Sequence, residues 1–184
     1  MSTQLDICNS ALIKLGAELI TTIDDNNKRA KLCKSQYQKI KRKMLNETPW
    51  NFAIKREELE ENGDTPLFGF GYSFDLPSDF IRGLDFETIK REWQREGKTI
   101  LADDSTVKIR YIADVAEDLF SPTFEEVLAL NLAYELSYAM VQSTAFREAL
   151  LVDSERLLAK ARSYDAQEGT PTPFMEDTYL NVRY

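Results

Sequence analysis

Apolar residues recur every three or four positions at both ends of this chain, and every second position through part of its middle. The change of period separates helical from extended segments. Leu5, Cys8, Leu12 and Leu15 form the first helical stripe, widened by Ile7 and Ala11. Thr3 stands before it as a cap with Asp6 three residues on, and Gly16 supplies the left-handed position that ends a helix. A helix is predicted over about residues 3–15. Ala30, Cys33, Tyr37, Ile40 and Met44 form the second stripe and predict a helix over about 25–47. Asp24-Asp25 suit its N-terminus, and Thr48-Pro49 stops it, because the residue before proline is pushed out of the α region.

The middle of the chain reads differently. Trp50-Asn51-Phe52-Ala53 leads into an acidic run, Glu57-Glu58-Leu59-Glu60-Glu61, taken as a solvated face. Turn formers follow from Asn62 to Pro77. Within them Phe68, Phe70, Tyr72 and Phe74 alternate with glycines and Ser73, a period of two that suggests an extended aromatic strand or loop. Arg82 to Val115 predicts a small antiparallel sheet: a strand at Leu84 and Phe86, a hairpin of Thr88–Arg95 with Thr99–Ala102 about Glu96-Gly97-Lys98, and a last strand through Val107, Ile109 and Tyr111. Ser121-Pro122 opens a third helix over about 122–142, apolar nearly all round and therefore central. A fourth, amphipathic helix covers about 144–168 and ends at Gly169.

The expected fold is α+β and mainly α. A four-helix bundle carries a small antiparallel β insertion, about 68–115, between helices two and three. Residues 1–169 are expected to form a single domain, and 170–184 an extended C-terminal arm.

Composition narrows the chemistry. The 184 residues include no histidine, which excludes a Ser-His-Asp triad, a Cys-His pair and a His-bearing zinc site. The two cysteines, Cys8 and Cys33, lie in apolar stripes and read as buried reduced thiols. No signal peptide, membrane span, metal or cofactor is expected. Acid–base chemistry falls to carboxylates, lysine or tyrosine. Asp103-Asp104 reads as a hairpin turn, and Asp114, Glu117 and Asp118 as caps for helix three. Glu135, inside the most apolar helix, calls for an arginine such as Arg147 or Arg82, or for a subunit interface.

Charge is distributed unevenly. Residues 1–50 carry 9 basic and 5 acidic groups, and residues 51–184 carry 14 and 26, so a +4 segment meets a −12 remainder. Asn26 to Asn46 holds eight Lys/Arg and no acid. Lys28, Arg29, Lys31, Lys39, Arg42 and Lys43 lie opposite the apolar stripe of helix two and are candidate partner contacts. Phe68, Phe70 and Tyr72 are a second candidate set, and Phe174, Tyr179, Leu180, Val182 and Tyr184 of the arm a third. An extended apolar segment like the arm suits addition to a neighbour's sheet edge, or wrapping of a partner.

Several of these segments, in order, resemble one family. Leu5-Asp6-Ile7-Cys8-Asn9-Ser10-Ala11-Leu12-Ile13-Lys14-Leu15-Gly16 is similar to the first helix of the head-to-tail adaptors of short-tailed phages, also called tail tubular protein A or packaged-DNA stabilisation proteins. Ala30 to Tyr37 and Pro49-Trp50-Asn51-Phe52-Ala53 resemble its second helix and exit. Tyr72-Ser73-Phe74-Asp75-Leu76-Pro77-Ser78-Asp79-Phe80-Ile81-Arg82 is similar to its aromatic-Leu-Pro-x-Asp-x-x-Arg segment. Glu96-Gly97-Lys98-Thr99-Ile100-Leu101, Ile109-Arg110-Tyr111 and the Phe124–Ala139 helix complete the likeness, which covers roughly residues 4–168.

The resemblance implies a non-enzymatic virion protein at the head–tail junction, made in the host cytoplasm. Its partners would be itself in a ring, usually twelve-fold, the portal protein above, and tail nozzle or fibre proteins below. DNA would pass through the channel without sequence-specific binding. Two other readings stand beside it: a small nucleic-acid-binding protein using the basic face of helix two, and a carboxylate-based hydrolase.

Overall fold

Capping fixes where each helix starts. In this computed structural model, which describes residues 2–87 and 92–169, helix α1 runs Gln4–Lys14. Thr3 Oγ1 accepts from the Asp6 N–H at 3.3 Å, and Asp6 Oδ2 accepts from the Thr3 N–H at 2.9 Å, the reciprocal pair that the sequence predicts. Helix α2 runs Lys28–Glu47. Its cap is Asn27, whose Oδ1 accepts from the Ala30 N–H at 2.9 Å, and not the Asp24-Asp25 pair. Asp25 instead turns back on its own loop, accepting from the Thr21 and Thr22 N–H groups at 2.9 and 3.3 Å and from the Thr22 hydroxyl at 2.9 Å. That local competition moves the helix start to Lys28. Ser121 caps α3 (Pro122–Met140), and Ser143 caps α4 (Thr144–Asp165).

Helix α3 is the hub. It packs against α1, α2 and α4 and buries Val127, Leu128, Leu132, Ala133 and Leu136. Trp50 completes the same core. It is fully buried, its Nε1 donates to the Met44 carbonyl at 3.1 Å, and its ring meets Phe124 edge-on at 5.0 Å.

The predicted bundle with a small β insertion is overturned. The strands form two three-stranded antiparallel sheets beside the helices, an α+β arrangement. The six strands are β1 (Ile54–Leu59), β2 (Tyr72–Asp75), β3 (Phe80–Glu87), β4 (Trp93–Glu96), β5 (Thr99–Ala102) and β6 (Val107–Ala113). The first sheet has the order β1-β6-β3, and the second β2-β5-β4. The β region is larger than the predicted insertion because β1 contains part of the acidic run. Glu57 pairs in register with Ile109, and Glu58 with Lys108. As an edge strand with only Leu59 buried, β1 lacks the apolar alternation that marks a half-buried strand. Val107, Ile109 and Tyr111 alternate inward on the central strand as expected. Phe86 of β3 stacks on Trp93 of β4 with ring centroids 3.9 Å apart, bridging the two sheets. The first sheet packs on α2 through β3 and β6.

Candidate docking site

The loop from β1 to β2 is anchored at both ends and open between. On the entry side Asn62 donates its N–H to the Ser73 carbonyl at 3.0 Å and its Nδ2–H to Asp75 Oδ1 at 3.0 Å. Asn62 Oδ1 also accepts from the Asp64 N–H at 3.0 Å around Gly63, whose φ of +77° disfavours any side chain. On the exit side the Gly71 N–H donates to Asp103 Oδ1 at 2.9 Å. Asp103 is therefore more than the hairpin turn residue it resembles in the sequence, and its neighbour Asp104 is buried. Between the anchors Leu67 is 99% exposed and Phe68 is 88% exposed. Beside them runs a groove of about 560 Å³ lined by Pro66, Phe68, Phe70, Gln94 and Leu101.

The three aromatic candidates thus divide. Phe68 projects into solvent, Phe70 is half-buried in the groove wall, and Tyr72 is half-buried within β2 opposite Ala102. Phe174, Tyr179, Leu180, Val182 and Tyr184 lie outside the described residues. Two adjacent large apolar side chains held away from the body by an anchored loop make a concentrated apolar projection, unlike singly scattered surface leucines. The sequence marked the phenylalanines by their alternation but missed Leu67.

Most of the basic face of α2 is occupied within the chain. Lys28 Nζ donates to the Ala139 carbonyl at 2.6 Å at the C-terminal end of α3. Arg29 pairs with Glu18 at 3.0 Å, Arg42 with Asp114 at 3.0 Å, and Lys43 with Glu47 at 4.0 Å. Of the six candidates, Lys31 and Lys39 are exposed without an ion pair among the described residues.

Lys41, absent from the candidate set, anchors a buried polar network. Its Nζ lies 3.1 Å from Asp114 Oδ1 and 3.3 Å from Glu117 Oε1. Tyr37 donates its hydroxyl to Glu117 at 3.1 Å, and Gln38 donates to Asp114 at 2.9 Å. Asp114 and Glu117 therefore bind α2 and do not cap α3, a role that Ser121 fills alone. Burial first, then the negative charge of Glu117, raises the Tyr37 pKa well above 10.0.

One carboxylate pair does converge. Glu57 Oε2 and Asp79 Oδ1 each lie 3.0 Å from the Tyr111 hydroxyl, and Lys55 pairs with Asp79 at 2.6 Å. A hydroxyl has one proton, so it donates to one carboxylate at a time. The lysine neutralises Asp79, and the group ties β1, β6 and the turn before β3 together. The adjacent recess, of about 400 Å³, is walled by Arg56, Asp85, Lys108 and Arg110 on the charged outer face of the first sheet. Glu135 is exposed on α3, and Arg147 sits over the Tyr134 ring at 4.5 Å, so the buried pairing predicted for Glu135 is not formed.

Among the described residues no group of three or more Cys, Asp or Glu side chains is arranged to hold a metal ion, and no helix is long and apolar enough to cross a membrane. Compared with protein-family models and with curated proteins, the chain matches none.

Proposed function

We propose that this chain is a structural assembly protein, a ring-forming subunit of a phage head-to-tail connector with no catalytic role. Its partners on this reading are copies of itself, a portal protein and tail nozzle or fibre proteins, with DNA passing through the ring unread. The observation that carries the proposal is the anchored β1–β2 loop with its projecting Leu67 and Phe68. Exposed apolar pairs cost solubility, and a protein retains them where a partner covers them. The ordered set of segments that resemble the adaptor family supports the same class.

The occupancy of the α2 basic face argues against direct nucleic-acid binding as the main role. A helix that grips phosphates needs free cations, and here Lys28, Arg29 and Arg42 are already engaged. Sizing and negative-stain microscopy with and without the portal protein test the reading. The expected result is a ring, alone or on the portal. A monomer that never binds portal rules the reading out.

A further inference from the structure

The chain holds two long segments of opposite and unmixed charge. Asn26 to Asn46 carries eight bases and no acid, and Glu57 to Ile81 carries seven acids and no base. They belong to different parts of the molecule. The first is α2, packed on β3 and β6, and the second surrounds the apolar loop, whose groove contains no α2 residue. The charges left over after internal pairing are complementary. Glu58, Glu60, Glu61 and Asp64 are exposed and make no ion pair among the described residues, and neither do Lys31 and Lys39. At about 100° per residue, Lys31 and Lys39 project within roughly 80° of each other on α2.

We propose that the acidic, apolar-tipped β1–β2 loop of one copy docks on the outward lysine face of α2 in a second copy, with the loop acids against Lys31 and Lys39 and with Phe68 and Leu67 along the lysine stems. The two patches differ and lie apart on one chain, so the contact is head-to-tail, the kind that repeats and closes into a ring when the rotation permits. The charges set orientation and encounter rate, and the apolar tip supplies the burial. This inference rests on the assembly reading and names the surfaces it uses.

Charge exchange tests it. One variant carries Lys31→Glu and Lys39→Glu, a second carries Glu60→Lys and Glu61→Lys, and a third carries all four changes. All four positions are exposed, so each variant is expected to fold, which circular dichroism and a thermal melt check. Sedimentation velocity of the full chain at low salt is expected to show concentration-dependent association of the wild type. It is expected to be lost in each two-site variant, and restored both in the four-site variant and in a mixture of the two-site variants. Phe68→Asp is expected to abolish it without changing the melt. Association that survives both reversals, or is not restored on mixing, overturns the inference and leaves the assembly reading standing. A wild type that stays monomeric at its highest soluble concentration also overturns the inference. If that wild type binds no portal either, the assembly reading falls with it.

Discussion

Lys41 Nζ lies 3.1 Å from Asp114 Oδ1, with the lysine side chain only 6% exposed, so α2 and the segment leading into α3 are joined by an ion pair largely withdrawn from water. Glu117 shares the ammonium at 3.3 Å, Tyr37 and Gln38 donate to the carboxylates from the same helix, and Arg42 pairs with Asp114 at 3.0 Å. Six side chains therefore depend on one another.

Removing the cation leaves Glu117 without an ion pair among the described residues, while Asp114 keeps Arg42. Lys41→Met keeps the apolar stem, and it is expected to cost about 3 kcal/mol in a urea titration, the scale for breaking a buried pair. Adding Glu117→Gln is expected to recover part of that loss, since one uncompensated charge disappears. A single-variant cost under about 0.5 kcal/mol, the size of an ordinary surface change, contradicts the network's role.

Alkaline pH probes the same network through Tyr37 and, separately, Tyr111. Burial first raises both hydroxyls above the ordinary 10.0, with Glu117 acting on Tyr37, and Glu57 and Asp79 on Tyr111. The folded state then keeps protons that the unfolded chain releases. Their stabilising contribution is complete below pH 10 and is lost as pH rises above it, where the unfolded state binds fewer protons. Urea midpoints are expected to fall as pH rises from about 10 to 12, and to fall less steeply in Tyr37→Phe. An unchanged slope in that variant contradicts the assignment.

Cys8 and Cys33 face each other across α1 and α2, both fully buried. Their mutual hydrogen bond, then burial, keeps the Cys8 thiol protonated. A thiol reagent is expected to label neither in the native state, except through unfolding, so labelling should accelerate with denaturant in step with the unfolding rate. Rapid labelling in buffer contradicts the helix packing.

Gln142 joins α3 to α4 with a φ of 55°, a left-handed conformation that costs a side-chain-bearing residue about 1 kcal/mol. Gln142→Gly is expected to raise stability by somewhat less than that, because glycine also gains freedom in the unfolded chain. A thermal melt checks the sign, and a lower midpoint contradicts it.

What the sequence revealed follows from which signals were local. Thr3, Asp6 and Ser121 act within one turn of chain, so the starts of α1 and α3 were legible. Asp25 was misassigned because two neighbouring threonines compete for it, a contest that spacing alone does not decide. The β1 strand is hidden because an edge strand needs no apolar alternation, and the division into two sheets is hidden because it depends on which distant strands pair, β6 with β1 and β3, and β5 with β2 and β4. Lys41 was passed over because its charge resembles those of its seven basic neighbours on α2, and only the approach of Asp114 and Glu117 distinguishes it. Of the β1–β2 loop, alternation reveals the phenylalanines. The projection of Leu67 beside Phe68 depends on anchors at Asn62 and Asp103, one close in sequence and one more than thirty residues away.

The central claim is that the β1–β2 loop is a docking element of an assembly protein. Hydrogen–deuterium exchange of the chain, free and mixed with the portal protein under assembling conditions, tests it most directly. The account predicts that protection on assembly includes residues 63–71 and the first turns of α2, with little change in α3, which is already buried. Assembly that leaves 63–71 exchanging as in the free chain would contradict it.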